Sequence, residues 1–338
     1  MIEITGEIPF WFEGEDNTVS VYSSARISRN FSGLNFPSSP GYNLFRSVEK
    51  KTDDVISQFL ISGRIRKFPL SALPQEEILR LKRLRVIPEK RNDSLAKFTL
   101  YYDNDNSAYL LTNYIDHLTF FSHSQGMNIT SAFKNCKNFS DLFNDAGNAR
   151  DPKGNFITSG IDYFGSGLKC FSVLSLPVCR LAGKIDEIRS SIEYNGMSVQ
   201  KYFRSEEKFI SIISNRDSYS KSAESILRDF KKVLSELKKY SSGLLEDIDR
   251  DQPNLSSECL EIINSEHLTF NDFIKIYDVV SFLKIKGRIK FSISGLNRVL
   301  VLLMQQSAGE VAGGAIKRTL TDDLFNKIRK TLKNEVIK

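Results

Sequence analysis

The sequence predicts an α+β protein in which a mixed region of strands and helices is followed by a helical region. Two strand-like runs on either side of the turn-rich "NDN" predict a β-hairpin. A 3.6-residue apolar period in the second half predicts a long amphipathic helix. The 338 residues are 41% hydrophobic and 26% charged, a composition typical of a globular chain with a sizeable core. We therefore expect a mixed domain over 1–240 and a helical domain over 241–338.

The mixed region begins with a strand, the hairpin and a helix. "VYSSARISRNFSGLNFP" (21–37) opens as an alternating strand and ends at a Gly and a Pro. "KFTLYYD" (97–103) and "SAYLLTNYI" (107–115) are the strands of the hairpin. "ITSAFKNCKNFSDLFNDAG" is a helix start and body, with Thr130 or Ser131 as its N-cap.

A glycine-rich loop follows in "NFITSGIDYFGSGLKCFSVLSLPV". We expect a strand, then the loop, then an apolar helix that begins near Leu168 and is interrupted by Pro177. The N–H groups of such a loop and of a helix N-terminus bind anions, and Lys169 would stand beside them. The spacing matches neither a Walker A motif nor G-x-G-x-x-G, so a helix entry that needs tight packing is the alternative.

The helical region begins with "SAESILRDFKKVLSELKKY" and ends with the chain. Its apolar residues recur at helical spacing and predict one buried stripe: Ile226, Leu227, Phe230, Val233, Leu234 and Leu237. "DQPN" (251–254) breaks this helix, and three or four further amphipathic patterns extend to Lys338.

Composition narrows the function classes. The net charge of +6 suits an anionic ligand such as a nucleotide, but it is far from that of a dedicated nucleic-acid binder. Three histidines and four scattered cysteines give no zinc-site spacing: Cys136, Cys170, Cys179 and Cys259. The acidic N-terminus does not resemble a signal peptide, and no apolar run is long enough to cross a bilayer. We therefore expect a soluble, cytoplasmic protein.

Three local features each have a functional and a structural interpretation. Arg26 and Arg29 could hold a phosphate or be ordinary surface charge. Asp116 beside His117 could be an acid–base pair, whereas a histidine at a strand end is more often a structural hydrogen-bonding residue. The basic clusters "RLKRLRVIPEKR" and "KIKGRIK" could contact nucleic acid, but neither is interleaved with the aromatic residues that stack bases.

Taken in order, four segments resemble those of one family, the ATP:guanido phosphotransferases or phosphagen kinases. "VYSSARISRNFSGLNFP" resembles S-S-R-x-R-x-A-R-N…F-P, and "NYIDHLTFFSHSQGMNI" resembles N-E-E-D-H-L-R-I…G. "FITSGIDYFGSGLKCFSVLSLP" resembles L-T-S-C-P-T-N-x-G-T-G-L-R-A-S-V…L-P, and "ISIISNRDSYSKSAESIL" resembles I-S-N-x-x-x-x-G-x-(S/T)-E. The C-terminus, including "LNRVLVLLMQQSAGEVAGGA", looks like the extra domain of bacterial protein-arginine kinases.

The resemblance implies a fold, a chemistry and partners. The fold would be an antiparallel sheet flanked by helices, followed by a helical dimerisation and phosphoarginine-binding domain. The chemistry would be in-line transfer of the ATP γ-phosphoryl group to a guanidinium, with Mg²⁺, arginines that clamp the phosphates, and carboxylates that orient the guanidinium. The implied partners are a second copy of the chain and a zinc-finger adaptor, a Clp-type chaperone or a stress regulator.

Several family positions carry other residues in this chain. The first phosphate arginine of the resemblance falls on Ser24 and the second is kept as Arg26, while Arg29 matches the more structural arginine of A-R-N. The catalytic glutamate falls on Ile115, and the arginine after D-H-L falls on Thr119.

The remaining family positions are altered as well. The family cysteine falls on Gly160, and the next phosphate arginine becomes Lys169, which keeps the charge but loses the bidentate fork. Family R-G-x-x-G-E falls on "QKYFRS", so Gln200 replaces the last arginine and Ser205 the second glutamate. The loop is also about three residues short, so Glu206 or Glu207 could take the role of that glutamate. The nearest match to the family's phosphoarginine-binding pattern R-D-x-x-R-A is "TDDLFN" (321–326), which lacks both arginines.

These replacements lead to three hypotheses. The first is a protein-arginine-kinase-like pseudokinase that binds a partner and keeps neither ATP nor Mg²⁺ as a working cofactor. The second is a divergent but active kinase that uses Arg26, Lys169 and a relocated Glu206 or Glu207, with ATP and Mg²⁺. The third is a basic nucleic-acid-binding protein.

Overall fold

The structure is a computed structural model that describes residues 19–83, 86–87, 95–201, 211–219, 221–265 and 269–290, together with 293, 296–297, 300, 326 and 328–330. The strands in these residues are β1 (Ser20–Arg29), β2 (Ile65–Pro69), β3 (Thr99–Asp103), β4 (Ala108–Thr112), β5 (Leu118–Gln125), β6 (Leu168–Leu174), β7 (Met197–Lys201) and β8 (Ser211–Asn215). The helices are α1 (Phe45–Ile61), α2 (Gln75–Arg83), α3 (Ile129–Asp141), α4 (Pro177–Leu181), α5 (Ile185–Tyr194), α6 (Ala223–Gly243), α7 (Leu245–Asp251), α8 (Leu255–Asn264) and α9 (Phe270–Ile285).

The eight strands form one sheet in the order β2-β3-β4-β5-β1-β6-β8-β7. Every neighbouring pair is antiparallel. The predicted fold class, an antiparallel sheet flanked by helices, is therefore confirmed. The sequence "NDN" does join a hairpin, in which Leu100 pairs with Leu111. Its second strand ends at Thr112, three residues earlier than expected, because Asn113 adopts a left-handed conformation with φ of 61°.

Each face of the sheet contributes to its own apolar core. Because strand side chains alternate, Ala25 and Ile27 of β1 lie on one face and pack in the core shared with α1, α3, α5 and α6. Tyr22 lies on the other face, in the core that also contains buried residues of α2, α4, α7, α8 and α9. The described helices after residue 241 therefore share a core with the sheet.

The segment after the glycine-rich loop differs from the prediction. Residues 168–174 form β6 and no helix begins at Leu168. This run is buried on both faces of the sheet, so its sequence lacks the alternation of polar and apolar residues that distinguishes a strand from a helix. The next helix, α4, begins at Pro177, because proline at a first helical position leaves no hydrogen bond unmade. Pro177 therefore starts a helix and does not interrupt one.

Two helix predictions have different outcomes. The N-cap of α3 is Asn128, whose side chain accepts a hydrogen bond from the Ser131 backbone N–H, so neither Thr130 nor Ser131 is the cap. For α6, the predicted stripe is confirmed, with Ser222 as the N-cap. Five of its six predicted residues are buried, and Leu227 is half-buried: Ile226, Phe230, Val233, Leu234 and Leu237 form the buried set.

A buried ion pair joins α4 to α9. Arg180 donates from Nε and Nη2 to the two carboxylate oxygens of Asp278, each at 2.7 Å. Burial raises the pKa of the Asp278 carboxyl to about 6, although Arg180 opposes the shift. The pair thereby links α9 to α4, the helix that follows β6. None of the described helices is both long and apolar enough to span a bilayer.

Candidate functional site

The sheet register brings all five of the predicted phosphate positions onto one face. Arg26 of β1 lies directly opposite Lys169 of β6, and Ser28 lies opposite Thr119 of β5. Ser24 is two residues before Arg26 and so shares its face. Gln200 also lies on this face, at the sheet edge in β7, two strands beyond β6. Sequence positions almost 180 residues apart therefore share one surface of the sheet.

Aromatic rings fill the space between these positions. Ser24 lies between His123 and Phe171 in the sheet register. The His123 ring is 5.6 Å from Tyr22 and 6.3 Å from Phe171, and its centroid is 6.0 Å from that of Phe121. Burial and the charge of Arg26 lower the pKa of His123 to about 3, so its ring is neutral. We call Tyr22, Phe121, His123 and Phe171 the aromatic cluster.

The aromatic cluster surrounds Arg26. Its guanidinium carbon lies 5.8 Å from the Phe171 ring and 6.0 Å from the Phe121 ring, within the range of cation–π attraction. Burial lowers the pKa of Arg26 and the nearby Tyr163 phenol raises it, and the net shift is upward. In the part of the chain that the structure describes, Arg26 Nε has no hydrogen-bond partner. Arg26 is thus a permanent cation held among rings and a phenol.

The second remaining cation, Lys169, is engaged by protein groups. Its Nζ donates to the carbonyl of Arg216 at 3.0 Å and lies 3.7 Å from a carboxylate oxygen of Asp162. It also lies 5.9 Å from the centre of the Tyr163 ring. Burial lowers the pKa of Lys169, and Asp162 opposes the shift. The predicted phosphate cation therefore braces the loop that precedes it.

The hydroxyl residues at family arginine positions are closed off from solvent. Ser24 is 0% exposed and donates from Oγ to the Ser122 carbonyl at 2.8 Å. Thr119 is 3% exposed, and Phe121 beside it is 1% exposed. No cationic side chain projects from either hydroxyl position.

Asp116 and His117, the predicted acid–base pair, lie in the turn before β5 and make structural hydrogen bonds. Asp116 Oδ1 accepts hydrogen bonds from the Asn30 side chain and the Ser159 backbone. His117 Nδ1 accepts from the Phe31 backbone N–H at 3.0 Å, and Nε2 lies 2.9 Å from the Asn35 carbonyl. Because Nδ1 accepts from a backbone N–H, the ring proton lies on Nε2, which donates to the Asn35 carbonyl. Burial also lowers the pKa of His117. Both nitrogens are engaged in holding the loop after β1.

Ile115, at the family's catalytic glutamate position, is half-buried and directly precedes Asp116. Its carbonyl accepts a hydrogen bond from Ser159 Oγ at 2.8 Å. Its hydrocarbon side chain can neither accept a proton nor orient a guanidinium. Gly160, at the family's cysteine position, has φ of −109°, which any residue adopts. The backbone therefore does not require glycine there.

The glycine-rich loop packs tightly against the end of β1. Gly167 has φ of +72°, and a Cβ at this position would lie 2.6 Å from the Ser28 carbonyl oxygen. The Gly167 carbonyl accepts from the Ser28 N–H at 2.9 Å, and Arg29 Nη1 donates to the carbonyls of Ser28 and Ser166. Burial lowers the pKa of Arg29 to about 9. The loop leads into a strand, so the expected helix N-terminus that would bind an anion is absent here.

Other predicted residues are paired or lie outside the description. Ser205, Glu206 and Glu207 lie outside the described residues. The same holds for half of the cluster at 80–91 and for all of "TDDLFN" except Asn326. In "KIKGRIK", Lys286 pairs with Glu246 at 2.7 Å and Arg288 with Asp249 at 2.6 Å. Ion pairs with α7 therefore hold both of these cations. Among the described residues, no group of three or more His, Cys, Asp or Glu side chains is arranged to hold a metal ion.

The sequence predictions missed Tyr163, Asp162 and the aromatic cluster. Phe171 was missed because residues 168–174 were expected to be helical, which hides the two-residue alternation that places it beside Ser24. Reading β5 with a period of two places Thr119, Phe121 and His123 on one face, so an available signal was overlooked.

Comparisons with known proteins identify the family of this chain. Residues 47–241 match the model of the ATP:guanido phosphotransferase C-terminal catalytic domain, a range that begins after β1. A protein-arginine kinase of Geobacillus sp. (strain WCH70) is 26% identical over 239 residues, covering 67% of this chain and 64% of that protein. A protein-arginine kinase of Clostridium kluyveri is 22% identical over 284 residues, covering 76% of this chain and 81% of that protein. The chain thus spans slightly less than two thirds of the first relative.

Solved structures support the fold. A lombricine kinase aligns with a TM-score of 0.56 at 15% identity, covering 69% of this chain and 70% of that chain. The duplicated taurocyamine kinase from Schistosoma mansoni aligns with a TM-score of 0.58 at 14% identity, covering 79% of this chain and 39% of that chain. With more than half of its residues matched by the family model, this chain belongs to the ATP:guanido phosphotransferase family and is similar to its protein-arginine kinases.

Proposed function

We propose that this protein-arginine-kinase-like chain is a pseudokinase that acts as a regulatory interaction protein. One observation carries the proposal: the sheet face with the family's phosphate positions is filled by the aromatic cluster. Ser24, Thr119 and Phe121 on this face are at most 3% exposed. A triphosphate is strongly hydrated and needs several cations around it. A buried aromatic surface with one central arginine does not meet that need.

The two cations left at phosphate positions are already committed. Lys169 donates a hydrogen bond to the Arg216 carbonyl and forms an ion pair with Asp162. Arg26 lies near the rings of Phe121 and Phe171. Binding a phosphate would require Lys169 to give up these contacts. Its single ammonium would still not provide the bidentate recognition of an arginine.

The chemical step also lacks its base at the aligned position. Family chemistry needs a carboxylate beside the guanidinium, and Ile115 has none. Removing one preorganised charged or hydrogen-bonding group from such a site costs on the order of 10²–10³ in rate. The losses need not multiply, because these groups act as a unit. Even so, the absence of three phosphate cations, at Ser24, Thr119 and Gln200, and of one carboxylate should leave phosphoryl transfer negligible.

ATP and Mg²⁺ are the cofactors of the family's chemistry, and the described residues do not fit them. Ser24 uses its hydroxyl on a backbone carbonyl, and the aromatic cluster leaves the face apolar. We therefore assign no reaction step to either cofactor. The role left is binding, and the proposed partners are a second copy of the chain and a zinc-finger adaptor, a Clp-type chaperone or a stress regulator. We also propose a cytoplasmic location.

The alternative is an active, divergent kinase that uses Arg26, Lys169 and Glu206 or Glu207. Titration calorimetry with Mg-ATP and mass spectrometry for phosphoarginine on a model protein distinguish the two. We expect neither heat of binding nor phosphoarginine from this chain, with the Geobacillus protein-arginine kinase as the positive control. Phosphorylation that is abolished by Glu206→Gln or Glu207→Gln would overturn the pseudokinase proposal.

Nucleic-acid binding is the weaker alternative, because Lys286 and Arg288 are paired with acidic residues. It predicts affinity for generic DNA that falls steeply with salt. We expect no binding of a random duplex even at low salt, measured by fluorescence anisotropy.

A further inference from the structure

A groove lies between α5 and α6, on the side of the sheet opposite Arg26. Its floor is apolar and consists of Ile188 and Ile192 from α5 with Val233 and Leu237 from α6. These residues pack in the core on the Ala25 face, whereas the aromatic cluster belongs to the other face. The groove therefore belongs to a different surface from the family's phosphate positions.

The size of the groove suits one long side chain. Its volume is about 170 Å³, and it opens to solvent between the two helices. A lysine or arginine side chain fits such a space because its methylenes can cover the apolar floor while its charged end stays near the rim. A whole helix or a nucleotide would be too large.

Each wall of the groove carries a carboxylate. Glu187 projects from α5, and Glu236 lines the same groove from α6. Glu187 accepts from the Tyr240 hydroxyl at 2.7 Å and from Lys184 at 2.9 Å, and these bonds lower its pKa. Lys232 Nζ forms an exposed ion pair with Glu236 Oε1 at 3.8 Å, which is too long for a hydrogen bond. Because a carboxylate has about four acceptor positions, both groups keep capacity for another donor.

We propose that this groove binds a lysine or arginine side chain of a partner protein, with the charged end between Glu187 and Glu236. The inference rests on the proposed role in binding, because it names the chemistry by which a partner attaches. An acidic side chain would meet like charge on both walls. A purely apolar side chain would cover the floor but would pair with neither carboxylate.

A neighbouring feature indicates where the partner's backbone continues. Asn195 lines this groove and an adjoining cavity of about 140 Å³ near the start of α6. Tyr194 precedes it and is 92% exposed, the most exposed large hydrophobic residue in the described ranges. Exposed aromatic residues are common anchors at protein interfaces. The residue next to the basic anchor is therefore expected to contact the Tyr194 ring.

Methyl NMR on the full chain, labelled at Ile, Leu and Val methyl groups, tests the inference. The probes are n-butylammonium and n-butylguanidinium, with n-butylurea as the neutral control. We expect saturable shifts at Ile188, Ile192, Val233 and Leu237 with a Kd of roughly 1–10 mM for each cation, as suits so small a ligand. Neutral n-butylurea should bind at least about fivefold more weakly, because it lacks the charge-assisted bonds.

Variants separate the groove from general effects. The double substitution Glu187→Gln with Glu236→Gln should weaken the binding of both cations at least about fivefold. The control Glu261→Gln removes an exposed carboxylate from α8, outside the groove, and should leave the Kd unchanged. Ser191→Trp, on the exposed wall, should block binding without changing any charge. Methyl spectra that match the wild type away from the groove will show that each variant is folded.

Three results would overturn the inference: no saturable shift below about 0.1 M cation, equal binding of n-butylurea, or cation affinity that survives the double substitution. This test is independent of catalysis. Failure here leaves the pseudokinase proposal intact, whereas phosphoarginine production by the wild type would overturn that proposal without altering the groove.

Discussion

Substituting Gly167 in the glycine-rich loop tests whether this glycine serves packing or phosphate binding. The change Gly167→Ala places a Cβ 2.6 Å from the Ser28 carbonyl oxygen, at a residue with φ of +72°. Backbone cannot yield as easily as the end of a side chain. The same carbonyl also accepts from Arg29, so a shift there disturbs the junction of the loop with β1.

The loss of stability expected for Gly167→Ala has two parts. A left-handed conformation costs an alanine about 1–2 kcal/mol relative to glycine. Overpacking at a tight site adds about 1–3 kcal/mol. We therefore expect Gly167→Ala to lower the free energy of unfolding by about 2–5 kcal/mol. Gly33→Ala is the matched control, because φ is +75° and nothing lies within 4 Å of the added Cβ. It should lose only the first part, about 1–2 kcal/mol.

Urea denaturation followed by far-ultraviolet circular dichroism measures the free energy of unfolding of both variants. Titration calorimetry with Mg-ATP measures whether they and the wild type bind the nucleotide. The difference between the two substitutions isolates the contact with β1. Equal losses of stability would refute the packing argument. The phosphate-loop interpretation would gain support if the wild type bound Mg-ATP and Gly167→Ala abolished that binding.

Three further predictions concern single side chains. Gly160→Cys should change stability by less than about 0.5 kcal/mol, because φ is −109° and the nearest atom to the new Cβ is a Tyr163 carbon at 3.9 Å; a larger loss of urea midpoint would contradict this. Ser24→Arg should lose about 3 kcal/mol or more, because it buries a charge among aromatic rings; a variant as stable as the wild type would show that the face has room for a cation. For Asp278, a pKa raised from 3.8 to about 6 means that the folded form binds the proton more tightly. This proton binding stabilises the fold by up to about 3 kcal/mol below pH 3.8, and the stabilisation is lost as pH rises through 6. Plots of the free energy of unfolding against pH, between pH 4 and 7, should therefore differ in slope for the wild type and Asp278→Asn. Parallel plots would refute the shift.

The strands and helices were predictable where the sequence is strongly periodic. The apolar stripe of α6 and the hairpin at "NDN" follow from local patterns that a single element must satisfy. Residues 168–174 were misassigned because a strand buried on both faces shows no alternation. The cap at Asn128 was misplaced by two residues or more, which is a common uncertainty at helix ends.

The candidate site was predictable only in part. The family resemblance predicts which residues stand at the phosphate-arginine positions, and it does so without any structure. It does not predict what surrounds these positions, because Phe171 becomes a neighbour of Ser24 only through the pairing of β1 with β6. Likewise, the spacing of Asp116 and His117 is compatible with catalysis, and only their hydrogen-bond partners indicate a structural role.

Residue identity and local order are enough to give the family and the α+β fold class. They also predict the mixed and helical regions and a loss of charge at Ser24 and Thr119. Tertiary structure alone decided that the altered positions share one sheet face, that aromatic rings fill it, and that Gly167 is held by contact with β1. It also decided that Glu187 and Glu236 line one groove. Contacts between distant parts of a chain depend on strand register and helix packing, and the order of residues does not specify these locally.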